Sequence, residues 1–288
     1  LVVVDYFKCS ADIFVYSTQA DQVIAWLRSK TFVLSLLRQL QQRLNPGSTP
    51  LSIIRAVPTR WTSHFLAYRR LVKLRYTIMT AIQQDELLPV SQSQLITGNS
   101  VAQAKAKEMI SYMKDDRFWN AITQITTHLQ PFAYATNIAQ SDVARLDTVL
   151  LAWALLYNHF DNLSESSDSV SDKQIAEAVC NSINRRWEAS DQDVFIAAVI
   201  LNPTHKTRPF AKSSWFGAGL VTVLISRLWQ RIFGSPEPSG LQKETEEYLA
   251  DEGVYFSMRM YWNKHMESAA VSNITSTYLI GSTVLIVS

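Results

Sequence analysis

The 288-residue chain is short of the residues that make tight turns. It has eight glycines and nine prolines, and the stretches from Gly47 to Gly98 and from Gly98 to Gly217 contain no internal glycine. Hairpins lean on glycine for positive φ, so a chain this poor in it excludes a fold of many short hairpins and favours helices with long connections. Cysteine is equally scarce. Cys9 and Cys180 stand far apart with no CxxC or His-rich spacing around them, which supports neither a disulfide framework nor a zinc site and fits a reducing, intracellular compartment. Charge is also low: charged residues make up 18% of the chain and the net charge is +2, so any basic surface that meets nucleic acid must be local. No run of about 20 apolar residues is present to span a bilayer, and Leu1 to Val4 gives way to Asp5 and Lys8 without a basic leader region. The missing initiator Met suggests a piece of a longer gene product.

Hydrophobic residues make up 47% of the chain, enough to build a core. Their spacing is helical. Val23, Trp26, Leu27, Val33, Leu34, Leu37 and Leu40 recur at three- and four-residue steps and predict one buried face over 18–42, ended by Pro46 and Gly47. Phe65, Tyr68, Leu71, Val72, Arg75, Ile78, Met79 and Ile82 predict a second helix, with Thr62 or Ser63 as its cap. Asn99 or Ser100 opens a short helix to Met113, and Asp115 or Asp116 the next, whose stripe runs from Phe118 to Phe132. Asp142, Ser171 and Asp191 are expected to begin three more, the last halted before Pro203. Trp215 to Phe233 and Leu241 to Met266 complete the reading. The expected class is all-α, an irregular multi-helix bundle. Four regions follow: 1–90, an N-terminal helical segment; 91–233, the main bundle; 234–267, a linker and last amphipathic helix; and 268–288, a loosely packed tail of β-branched residues.

No nucleophilic triad, phosphate loop, dinucleotide fingerprint or metal cage stands out, and the five histidines are scattered. One short stretch is unusual. In "VPTRWTSHFLAYRRLVKLR", Trp61 precedes the helical stripe and is surrounded by Arg60, Arg69, Arg70, Lys73 and Arg75. Core packing is the default for a tryptophan on a helical face, since an indole buries a large area and needs one partner for its N–H. Trp61 has two readings: an anchor at the helix entry, or a platform on which a base stacks beside cations that neutralise phosphate.

The stretch "PTRWTSHFLAYRRLVKLR" resembles the TRW-x-S block of hAT superfamily transposases, which lies in their RNase H-like region. Other blocks agree in the same order. "LVVVDYFK" is similar to the sequence after that family's Cys-x-x-His-x-x-Asn block, "DDRFWNAITQITTHLQPF" to its FW…L-x-P helix, and "RRWEASDQDVFIAAVILNPTHK" to its AA-x-x-LDP segment; "MYWNKH" resembles it more loosely. The resemblance implies the helical insertion of an RNase H-like transposase with the core sheet largely missing. It implies DNA as partner, as hairpin or single-stranded ends, a second copy of the chain in the assembly, and a nuclear location. Arg60, Trp61, Arg69, Arg70, Lys73 and Arg75 are the contacts it suggests. Three acids hold divalent metal such as Mg²⁺ in that family. Two would lie before Leu1 and the third in a Ser-Glu-Arg block that this chain lacks, so no catalytic residue and no cofactor is expected. Asn202 stands where the family usually has Asp, a position outside those acids. The competing reading is a helical interaction scaffold with no DNA binding; an active nuclease ranks third.

Overall fold

The computed structural model describes residues 2–57, 60–210, 217–258 and 260. Among them the regular structure is helical throughout, with no strand, in agreement with the all-α expectation. Backbone contacts divide the chain into Leu1–Ala133 and Tyr134–Ser288, a boundary inside the stretch 91–233.

In the first unit, α1 (Val2–Lys8), α2 (Ala11–Ser29), α3 (Thr31–Leu44), α4 (Trp61–Glu86) and α5 (Ser100–Lys114) pack with the first part of α6 (Asp116–Ala139). The expected helix over 18–42 is two helices. Lys30 leaves helical geometry at φ −112° and ψ 95°, while its N–H and the Ser29 hydroxyl turn back to carbonyls of the preceding turn. Both halves keep the apolar face, with Val23, Leu27, Leu37 and Leu40 buried. The largest fully buried side chain among the described residues is Trp119, whose indole N–H donates to the Met113 carbonyl at 2.6 Å. Asn99 caps α5 as expected, its side chain accepting from the Ala102 N–H at 2.9 Å. Asp115, just before α6, accepts from the Arg117 N–H at 2.9 Å.

The irregular segment before α4 pairs with no strand among the described residues, and side chains meet part of its backbone. Gln41 brackets Leu51, accepting from its N–H at 2.7 Å and donating to its carbonyl at 3.0 Å. Arg70 and Arg28 donate to the carbonyls of Ser52 and Ile53, each at 2.7 Å. The start of α4 departs from the expected cap: Arg60 is the residue before the helix and neither Thr62 nor Ser63 occupies that place. Ser63 lies inside the first turn, where its hydroxyl accepts from the Val57 N–H at 2.7 Å. From the third helical position this hydroxyl reaches back to the backbone at Val57.

The far end of α4 is tied by a buried carboxylate. Asp85 accepts from the Ser93 hydroxyl at 2.7 Å and from the N–H groups of Gln94 and Leu95 at 2.5 and 3.2 Å, holding the loop that leads to α5. Asp85→Ala strands those donors and should cost about 2–3 kcal/mol in chemical denaturation. Asp85→Asn should cost less, because an amide oxygen still accepts both N–H groups.

The second unit holds the remainder of α6, then α7 (Leu146–Ser166), α8 (Val170–Glu188), α9 (Gln192–Ile200), α10 (Ala218–Phe233) and α11 (Leu241–Ala250). A three-residue link folds α8 back on α7, and Leu150, Val199, Ile200, Phe210, Val221 and Leu224 form a core shared by α7, α9 and α10. Two expected helix starts move. Asp142 lies outside α7, which begins after Arg145, where the Thr148 hydroxyl accepts the Arg145 N–H at 3.1 Å; Ser169 rather than Ser171 caps α8. Gly234 closes α10 in the left-handed conformation at φ 65°. The helix expected over 241–266 stops at Ala250, because Asp251 takes φ 61°, and helical geometry resumes at 254–258. Trp215 and the tail from Ser268 lie outside the described residues.

Candidate nucleic-acid interface

Helix α4 carries five of the six residues singled out in the sequence, and Arg60 immediately precedes it. Arg60, Arg69 and Lys73 are exposed. None of the three has a carboxylate partner among the described residues. Arg69 and Lys73 are four residues apart, one above the other on the same helical face. Arg69 also leans over the Phe65 ring, its Cζ 6.0 Å from the centroid.

The other three have structural work. Arg75 donates to Asp116 at 2.7 Å and its Cζ lies 5.5 Å from the Trp119 ring centroid, so its charge is met by a carboxylate at the start of α6. Arg70 spends one N–H on the Ser52 carbonyl. Trp61 is half-buried and packs edge-on against Phe132, ring centroids 6.3 Å apart. The structure therefore leaves Arg60, Arg69 and Lys73 exposed without a carboxylate partner among the described residues, with Arg69 and Lys73 on one face of α4, and turns Arg70, Arg75 and Trp61 toward the protein.

Sequence reading missed one neighbour of this strip. Tyr76 is 69% exposed, three residues beyond Lys73. Its signal was its absence from the apolar stripe: the stripe steps over position 76, and an aromatic ring off the buried face of a helix points to solvent.

A second polar group lies in the other unit. Arg145 and Asp147 form a two-point ion pair at 3.0 and 2.7 Å, and the Asn202 amide donates to the same carboxylate at 2.6 Å. The Asn202 oxygen accepts from the Thr204 N–H and hydroxyl, which fixes the amide's orientation. Burial pushes the Asp147 carboxyl up, but Arg145, Asn202 and the Thr148 N–H outweigh it and hold it below the usual carboxylate range. Nearby His205 is buried, which lowers its imidazole pKa and keeps it neutral. A largely apolar cavity of about 730 Å³ opens beside this cluster, walled by Leu146, Leu201, Ile225, Trp229 and Tyr248. Arg145 and Asp147, at its α7 end, neutralise each other.

No group of three or more metal-ligating side chains occurs among the described residues. No described helix is long and apolar enough to cross a membrane. Comparison with family models, curated proteins and solved structures gives no match.

Proposed function

We propose that the chain is a helical DNA-contacting module of the hAT transposase type, in which Arg60, Arg69 and Lys73 hold phosphates and no metal chemistry is performed. The observation that carries this reading is the exposed pair Arg69 and Lys73, one turn apart on α4 with no acid set against them among the described residues. Acids at three- or four-residue spacing would pair with such cations; two cations without them form a local positive patch on a chain whose net charge is only +2. The order of the sequence blocks supports the same parentage. DNA ends and a second copy of the chain are the partners that parentage proposes, and the nucleus is the compartment.

Electrostatic binding of this kind weakens with salt, because each neutralised phosphate releases condensed counterions. Affinity for a labelled oligonucleotide should fall linearly on logarithmic axes as salt rises. Arg69→Ala with Lys73→Ala should flatten that slope by about 1.4, at about 0.7 per contact for a single strand. An unchanged slope in the double variant refutes the assignment.

The packing of Trp61 on Phe132 favours a second reading, the interaction scaffold, in which the indole is an anchor and the strip meets no nucleic acid. On that reading Trp61→Ala costs about 2–3 kcal/mol of folding stability, less than a fully buried indole would, and there is no DNA affinity to lose.

A further inference from the structure

Helix α4 presents an aromatic side chain that the sequence pattern did not single out. Leu66, Arg69, Lys73 and Tyr76 follow one another at steps of three, four and three residues, which places them along one stripe of the helix. All four are exposed, Leu66 at 48% and Tyr76 at 69%. A single exposed aromatic is ordinary on a protein surface. Tyr76 differs in where it stands: it closes a stripe whose two preceding members are cations with no described carboxylate partner. From Arg69 to Tyr76 the stripe rises about 10 Å at about 1.5 Å per residue, a length over which an extended single strand presents more than one phosphate and at least one base. Trp61, the aromatic singled out in the sequence, already has a ring partner in Phe132 and is half-buried.

We infer that Tyr76, rather than Trp61, is the base-stacking platform of this surface, and that its ligand is a single-stranded segment whose phosphates lie on Arg69 and Lys73. Stacking needs an open π-face next to charges that hold the backbone, and it tolerates any base because every base has such a face. A duplex hides its bases, so the tyrosine would discriminate single from double strands while the cations would not. This inference rests on the nucleic-acid reading of α4.

Fluorescence anisotropy with a labelled oligothymidylate of about 12 nucleotides, within the usual span of single-strand sites, tests it on the full chain. Tyr76→Ala should weaken binding of the single strand about tenfold, leave duplex binding within twofold, and leave the thermal midpoint unchanged because the ring is exposed. Tyr76→Phe should bind as the parent does, since the ring and not the hydroxyl stacks. An oligonucleotide of the same length carrying abasic sites should bind the parent and Tyr76→Ala equally. Equal losses for single strand, duplex and abasic strand would overturn the stacking role, as would full affinity in Tyr76→Ala with the loss appearing in Trp61→Ala instead. Both of those outcomes leave the nucleic-acid reading standing. Absence of any salt-dependent binding by the parent chain overturns that reading and the stacking role with it.

Discussion

Asp251→Ala should destabilise the second unit by about 3–5 kcal/mol, the cost of leaving a buried ammonium without its counter-charge. Lys206 is 4% exposed and sits in the left-handed region at φ 50°, in the turn that follows α9. Its ammonium donates to Asp251 Oδ1 at 2.5 Å and to the Tyr248 carbonyl, and lies 4.6 Å from the Tyr248 ring centroid. Three attractions thus converge on one cation and fasten the end of α11 to that turn. Removing the acid does not remove the need to solvate the charge. Lys206→Met removes the charge itself and keeps an unbranched side chain, so it should cost less than Asp251→Ala, and the double variant should resemble Lys206→Met alone. Urea unfolding of the three variants measures the difference. A cost for Asp251→Ala no larger than that for Lys206→Met would mean that water reaches the ammonium once its partner has gone.

That contact marks the limit of what the sequence discloses. Helix identity is local, written in the spacing of Phe65, Tyr68 and Leu71 or in the Asn99 side chain three residues before Ala102, and those elements were readable. Helix ends were less so. The apolar period runs unbroken through Lys30, and only backbone geometry shows the break there; Asp142 and Ser171 look like caps by type, but neighbouring residues took the role. For the candidate interface, the cations of α4 could be found from composition, and their exposure from position relative to the stripe. Which of them are already engaged could not. Arg75 meets Asp116 41 residues away, and Asp147 meets Asn202 55 residues away. Pairings over such separations depend on how helices pack, and a single sequence carries no local trace of them.

Asn202 makes this concrete, because its amide is in contact with a buried carboxylate. Asn202→Asp should destabilise the second unit by about 2–4 kcal/mol at neutral pH. The present amide donates to Asp147 and accepts from Thr204; an aspartate keeps the second role and turns the first into a repulsion between two carboxylates at hydrogen-bond distance. Like charges that close cannot both ionise, so one of the pair retains a proton and its pKa rises. The pH dependence then has a definite sign. In the parent chain the Asp147 carboxyl lies below its ordinary value, so the stability it contributes is present above the unfolded carboxylate range and is lost as pH falls. His205 acts in the same sense: buried and neutral, with its pKa lowered, it loses stability as pH falls through the ordinary histidine range of about 6.5, where the unfolded chain takes up its proton first. In Asn202→Asp the shared-proton pair has a raised pKa, so its contribution is full below the unfolded carboxylate range and is lost as pH rises through the raised value. The gap between the two proteins should therefore be small near pH 4 and widen toward neutrality, whereas Asn202→Ala, which brings in no charge, should run roughly parallel to the parent. Thermal or urea unfolding across that range decides it. A gap that stays constant with pH would show that Arg145 neutralises both carboxylates, and would leave only the lost amide donor to account for the cost.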